Sequence, residues 1–398
     1  MRRLAGLLAV SIAIGGAAII TAPYAHGLSF VIRAADMHGM LRQVADYDAR
    51  GVAERDLTIP ASRGPLRARV YDPVIRRHPA ALLVSGLHPL AINEPRLVRL
   101  ARQLAASGVT VVTPDIRELS RFEITSAITD EIEQSAAWLA SDSSLAPDNR
   151  VGMIGISFSG GLSIVAAGRP AVKDRVAYVF SFGGHDDLPR VLRYLCTGTE
   201  PYPSDRIALR AERPAEGEDQ FVRPPHDYGV AVILLGVADR LLPAAQVEPL
   251  RAAIRKYLEA SALDTNVDKG QASVEFDDLK RLSKTMREPS ATLLRYVLER
   301  DVVHLGARLL PYIGAYGVNP ALSVSKSPKP SAPVFLLHGT DDNVIPPLES
   351  EYLADDLRGH APVRLLLSGL ISHAEADRPV HTSDVMQLAA FWGDVLSR

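Results

Sequence analysis

The sequence predicts an α/β fold, a mainly parallel sheet with helices on both faces and a helical insertion late in the chain. Three observations predict it. Continuous apolar runs such as AALLVSG, Ala80 to Gly86, read as strands buried on both faces. Segments of helical spacing alternate with these runs. The alternation stops after Gly184 and resumes at APVFLLHGTDDNVIP, so the sheet is interrupted and then completed.

Taken in order, the chain begins with Arg2 and Arg3, then LAGLLAVSIAIGGAAIITA, Leu4 to Ala22, with no charged residue. That is close to the roughly 20 residues needed to span a bilayer, and the arginines before it predict a cytoplasmic N-terminus with the rest of the chain outside. Cleavage of a signal segment near Ala25 or Gly27, and a buried N-terminal helix, are the alternatives. LSFVIRAADMHGMLRQV, Leu28 to Val44, spaces its apolar residues like one helix face, to lie on the membrane surface or pack on the globular part. DLTIPASRGPLRARVYDP reads as two strands joined at Ser62-Arg63-Gly64. After AALLVSG come a helix ending on Gly108, the strand VTVVTPDI, a helix over ITSAITDEIEQSAAWLA, the strand RVGMIGIS, a small-residue helix and the strand VAYVFSFGG.

From Asp187 to Pro330 helical patterns dominate, with SKSPKPSAP as the linker back to the sheet. A helix over PLESEYLADDLR, the strand APVRLLLSG and a final helix follow. The predicted organisation is an N-terminal anchor or signal (1–27), an amphipathic connection (28–53), the first part of the core (54–186), the helical insertion (187–330) and the second part of the core (331–398).

Composition excludes several function classes. A formal net charge of -2 gives no field favouring nucleic acid. The single cysteine, Cys196, excludes an intramolecular disulfide framework and a cysteine zinc cluster.

Chemistry enters at VGMIGISFSGG, Val151 to Gly161, where an apolar strand runs into a turn of small residues around Ser157. A strained strand-to-helix turn of this kind lifts a serine hydroxyl above the sheet edge. Gly155 stands two residues before Ser157, but Ser159 occupies the position two after, where the nucleophile pattern has glycine. Neither a P-loop nor a Gly-x-Gly-x-x-Gly sequence is present in this turn. A serine needs a histidine to take its proton and an acid to orient the histidine. Gly339-Thr340-Asp341-Asp342-Asn343-Val344-Ile345-Pro346 supplies a candidate acid after one strand, and Leu370-Ile371-Ser372-His373 a candidate base after the next.

These segments resemble the α/β-hydrolases over roughly residues 54–184 and 331–398. The resemblance implies a triad of Ser157, Asp342 and His373, with the acid role at the second aspartate of the pair. It also implies oxyanion donors at the backbone N–H groups of Phe158 and of Leu87, the latter in the loop Ser85-Gly86-Leu87-His88-Pro89. Many relatives have a histidine where Ser85 stands. Asp186, Asp187 and Asp239 are rival acids, and His381 is a rival base. His338 reads as a strand-end histidine with a local hydrogen bond. His88 reads as pocket lining or structure, and His185 with Asp186 and Asp187 as a solvated loop or, alternatively, a metal site.

The expected activity is hydrolysis of a small-molecule or lipid-like carboxylic ester through an acyl-enzyme, with no metal or organic cofactor. Peptidase or amidase chemistry, and non-catalytic binding by a membrane-tethered protein, are the alternatives. The catalytic part is expected outside the cytoplasm, anchored to the membrane or, after cleavage, secreted or periplasmic. The insertion is expected to lie over the strand edge as a lid.

Overall fold

A computed structural model describes residues 21–76, 78–202, 220–266, 268–371 and 382–398. Strands β1 (Val52–Ile59) and β2 (Leu66–Pro73) pair antiparallel around the predicted turn, where Gly64 adopts φ 112°. β3 (Ala80–Val84), β4 (Val111–Pro114), β5 (Val151–Ile156) and β6 (Val176–Phe182) follow. β7 (Thr199–Pro201) and β8 (Gln220–Val222) form a separate ribbon, and β9 (Val334–Gly339) and β10 (Val363–Ser368) return to the main sheet. Among the described residues this sheet has 8 strands, in the order β1-β2-β4-β3-β5-β6-β9-β10. β2 runs antiparallel to β4, and all pairs from β4 onwards are parallel.

Alternate residues of the strands feed two cores. Leu82, Val84 and Val112 meet Ile128, Ile132 and Leu162 from helices Ala127–Ser141 and Phe158–Ala167 on one face. Leu83, Ile154 and Phe180 meet Leu97, Leu104, Phe391 and Trp392 from helices Pro95–Ala106 and Thr382–Val395 on the other. Burial on both faces is why these strands are apolar throughout rather than alternating. Parallel crossovers bring the C-terminal ends of β3, β5, β6 and β9 to one edge, and the candidate site lies there.

Among the described residues between β6 and β9, helices predominate beside the β7-β8 ribbon, as the sequence predicts. The segment VILLGVADRLLP, which repeats the spacing of the acid motif, forms the second half of the helix Asp227–Leu241 as far as Leu241, with Leu242 and Pro243 beyond its end. A short apolar run fits strand and buried helix equally well, and here the helix is buried on nearly every side from Gly229 to Ala238.

The predicted anchor, Leu4 to Ala22, lies almost wholly outside the described residues. Among those described, no helix is long and apolar enough to cross a membrane. Residues 21–34 are helical and dock on the C-terminal helix. Gly27 and Gly393 face one another so closely that a Cβ on either would collide with the opposing backbone, and the Phe30 ring sits 4.2 Å from Trp392.

The single helix face expected from Leu28 to Val44 is corrected. Asp36 (φ 54°) and Gly39 (φ 77°) break the chain, and a second short helix, Met40–Asp46, begins after them.

Candidate active site

Ser157 ends β5 and precedes the helix Phe158–Ala167, with φ 54° and ψ -127°. That left-handed backbone is rare for a residue with a side chain, and it persists because its surroundings hold it. The Ser157 N–H donates to the Phe182 carbonyl at 2.6 Å, and its own carbonyl accepts from Gly160 N–H at 2.8 Å. Gly155 must be glycine, since a Cβ there would run into the backbone of Ser159. A Cβ on Gly160 would stand 2.5 Å from Ser181 Oγ. The small residues read from the sequence are therefore what lets the turn close.

Ser159, the departure from the glycine pattern, is a brace. It is 0% exposed, its Oγ accepts from Ile156 N–H at 2.9 Å, and its hydroxyl faces the Val84 and Ile156 carbonyls at 3.0 and 2.9 Å. The side chain ties the elbow to the neighbouring strand β3. It is committed to structure and is no rival to Ser157, whose side chain is partly accessible.

Beside the serine runs the loop after β3. A Cβ on Gly86 would stand 3.3 Å from Ser157 Cβ, so this loop passes directly against Ser157, with Leu87 next in the chain. Tyr228, near the start of helix Asp227–Leu241, donates its hydroxyl to the Leu87 carbonyl at 2.8 Å. Its ring also meets Phe122 edge-on at 5.9 Å. Phe158 opens the helix behind Ser157, where backbone N–H groups and the helix dipole favour negative charge. Its ring stacks on His185 at 5.0 Å.

Asp342 lies on the turn leaving β9 and is 1% exposed. Its Oδ1 accepts from Val344 N–H at 2.8 Å and Ile345 N–H at 3.1 Å. Its Oδ2 lies 3.5 Å from His338 Nε2 and 3.5 Å from the point a Cβ on Gly183 would occupy. Gly183 follows Phe182, the partner of Ser157. Ser157, Gly183 and Asp342 thus occupy the ends of three neighbouring strands. Asp341, beside it, is half-buried. Arg223 donates to the carbonyls of Thr340 (2.8 Å) and Asp342 (3.2 Å), and His226 N–H donates to Asn343 O at 2.8 Å.

His373 and His381 lie outside the described residues. The last described residue before them, Ile371, has its carbonyl packed against Gly339 at the end of β9, next to the turn that carries Asp342.

The remaining candidates have other employment. Asp239 sits on a helix, exposed, 2.9 Å from Arg251. Asp187 caps helix Leu188–Thr197 through Arg190 N–H and pairs with Lys326 at 3.1 Å. Asp186 lies in a buried group around the Arg190 guanidinium, with Glu349 at 2.6 Å, Asp186 at 3.1 Å and Glu200 at 3.2 Å. Burial, then Glu349, push the Asp186 carboxyl up to about 7, and the same causes raise Glu200 well above its ordinary range. A carboxylic acid held near neutrality is a poor partner for an imidazolium. His185 is buried with Nε2 2.9 Å from Leu322 O, and burial lowers its pKa, which keeps the ring neutral. It does not converge with Asp186 and Asp187, and among the described residues no group of three acids, histidines or cysteines could hold a metal ion. His338 is buried between Ser350 Oγ (2.6 Å) and Ile345 O (2.9 Å), the local bonding its strand-end position implies. His88 accepts from Leu90 N–H at 3.2 Å, and burial lowers its pKa.

Sequence reading missed the Ser159 brace, Gly183, Arg223 and Tyr228. Gly183 carried a signal, being the first of two glycines at a strand end, and it adopts φ 63°. The Tyr228 contact spans 141 residues and leaves no local pattern.

No protein-family model and no curated protein matches the sequence. Among solved structures, an esterase of Pyrobaculum calidifontis is similar at 16% identity and a TM-score of 0.41, covering 87% of each chain. The metagenomic carboxylesterase EstE1 is similar at 14% identity and a TM-score of 0.43, covering 87% of this chain and 89% of its own. An acylaminoacyl peptidase of Pyrococcus horikoshii is similar at 11% identity and a TM-score of 0.41, covering 83% of this chain and 39% of its own. What decides the fold is the chain's own sheet, with its antiparallel first strands, its β4-β3 reversal and a strained serine at the end of β5.

The chain has the α/β-hydrolase fold. In α/β-hydrolases the three catalytic groups follow the order serine, acid, histidine along the chain. The described strands carry Ser157 and Asp342 to the same edge.

Proposed function

We propose that the protein is a serine hydrolase that cleaves carboxylic esters through an acyl-enzyme. The single observation that carries this reading is the strained backbone of Ser157, with φ 54° at the exit of β5 and small residues packed behind it. Strain of this kind is maintained where a function depends on it. In the proposed mechanism Ser157 Oγ attacks the ester carbonyl carbon while His373 takes its proton. Asp342, its Oδ1 already held by two amides, orients the imidazolium through its other oxygen. The N–H groups of Phe158 and Leu87 receive the oxyanion. Collapse expels the alcohol with the proton from His373. Water, deprotonated in turn by His373, then attacks the acyl carbon and frees the acid and Ser157.

Residues 187–330 are read as a cap over this edge. Three bonds support it: Tyr228 to the Leu87 carbonyl, Arg223 to the Asp342 carbonyl and His226 to the Asn343 carbonyl. The chain is read as anchored in the membrane by Leu4 to Ala22, with the catalytic part outside the cytoplasm. Arg2 and Arg3 before that uncharged stretch support the orientation.

The test is pre-steady-state hydrolysis of nitrophenyl esters of graded acyl length beside the matching anilides. A burst of one nitrophenol per chain on the esters, abolished by Ser157→Ala, is the expected result. Hydrolysis unaffected by the substitution would reject the mechanism. Anilides cleaved as readily as esters would move the assignment to an amidase.

A further inference from the structure

The short helix Met40–Asp46 is held by one side only. Ala45 is its only buried residue, and the Ala45 carbonyl accepts from Ser29 Oγ at 2.8 Å, which fastens it to the helix at residues 21–34. A second tie, His26 Nδ1 to Asp48 Oδ2 at 2.7 Å, fixes the chain just beyond it. The other side is apolar and bare: Met40 is 82% exposed, Val44 68% and Tyr47 87%, with Met37 and Leu41 also exposed. Within this helix and at its C-terminal cap, positions 40, 41, 44 and 47 recur at the spacing of one helix face. Val74 and Ile75, also exposed, stand beside Gly51, whose carbonyl accepts from Val74 N–H at 2.9 Å. A water-soluble surface rarely gathers so many large apolar side chains on one short helix.

The place of this surface in the fold is defined. Val74 follows the last residue of β2, and Tyr71 of β2 pairs with Val111, the first residue of β4. Arg50 N–H donates to Ala106 O at the end of helix Pro95–Ala106, just before the chain enters β4. Both contacts belong to the edge where the parallel strands start. Ser157 stands at the edge where they end, separated by the six residues of β5, or about 20 Å at roughly 3.3 Å per residue.

We infer that this apolar face rests on the bilayer beside the N-terminal segment, so that the catalytic edge points away from the membrane. The occupant is set by what precedes the helix at residues 21–34. The uncharged stretch Leu4 to Ala22 runs directly into that helix, which is clamped to the core through Gly27, Gly393 and Trp392 and holds the segment bearing the exposed face through Ser29 and His26. A span entering the bilayer at that point brings the face to the lipid surface, where an amphipathic helix buries its apolar side among the headgroups. The inference rests on the anchored reading proposed above and refines the substrate class. Esters approaching from the aqueous side reach Ser157, whereas lipids of the protein's own bilayer lie at the far edge of the sheet.

The experiment uses the full chain in vesicles of phosphatidylcholine with a minority of phosphatidylglycerol. An environment-sensitive fluorophore is placed through Val44→Cys, Tyr47→Cys or, as the control near the catalytic edge, Val222→Cys. Val222 is exposed and adjoins Arg223, which binds the Asp342 carbonyl. The native Cys196 is buried, and burial pushes its thiol up to about 12, so labelling falls on the introduced thiols.

The expected result is flotation with the vesicles, a blue shift and quenching by nitroxide-bearing lipid at 44 and 47, and neither at 222. Flotation without quenching at 44 and 47, or with equal quenching at 222, would overturn the inference and leave the anchor standing. A blue shift that lipid nitroxide does not quench would overturn it too, showing the face covered by the chain itself or by a second copy. Failure to float would reject the anchor and the inference together.

Discussion

Ser159 shows how far a single hydroxyl can replace a motif residue. Where the pattern asks for glycine, its Oγ accepts from Ile156 N–H and binds the strand-end carbonyls, so the tight turn is held by hydrogen bonds as well as by small size. Ser159→Ala should therefore cost about 1–3 kcal/mol, the penalty for stranding buried polar groups, as read by chemical denaturation. A loss near zero would mean that the brace is idle. Tyr228 acts on the other wall of the site, by fixing the carbonyl of Leu87, whose N–H is the proposed oxyanion donor. Tyr228→Phe keeps the ring packed on Phe122 and removes only the hydroxyl. With one hydrogen bond worth about 0.5–1.5 kcal/mol, kcat on an ester should fall about 3- to 10-fold with KM little changed. A change confined to KM would make Tyr228 a wall of the pocket instead. The turns that carry Ser157 and Asp342 were both legible in the sequence, because each follows an apolar strand and is built from residues of fixed turn chemistry. Ser159 was read as a weakness of the motif, since sequence alone does not show that β3 lies beside β5.

At the scale of elements, the strands were legible and the contacts between distant elements were not. Runs buried on both faces announce themselves by composition. The helix Asp227–Leu241 imitates a strand because it too is buried on nearly every side. The group around Arg190 joins helix Leu188–Thr197, β7 and helix Leu348–Asp356, and no spacing in the sequence foretells it. Its acids give stability a pH dependence. Folded Asp186 keeps its proton up to about 7, against 3.8 for the ordinary group, so between these values the folded state binds more protons than the unfolded one. Stability from this group is complete below the lower value and is lost as pH rises through the upper one. Asp186→Asn should flatten the decline in thermal midpoint between about pH 4 and 7, and an unchanged slope would contradict the assignment. The N-terminal helix makes a different prediction. Gly27→Ala or Gly393→Ala forces a Cβ into the opposing backbone and should cost about 1–3 kcal/mol by overpacking. Wild-type thermal stability in both variants would show that residues 21–34 are not docked as described.

For the whole molecule, the sheet does two jobs at once. Its C-terminal edge gathers the Ser157 turn, the loop after β3 and the Asp342 turn, while the bare apolar face lies towards the edge where the parallel strands start. The sequence revealed an uncharged N-terminal stretch and a serine-acid-histidine order, but not that the exposed face of helix Met40–Asp46 and the Ser157 turn stand towards opposite ends of the strands. That relation depends on strand direction and on how Gly51 and Val74 meet, which only the assembled sheet displays. The central claim is that Ser157 is an activated nucleophile. Its most direct test is to label the full chain with a fluorophosphonate and locate the adduct by mass spectrometry, beside Ser157→Ala. The account predicts one phosphonate on Ser157 and none in the variant. Folded protein that takes up no label, or label that persists after the substitution, would contradict it.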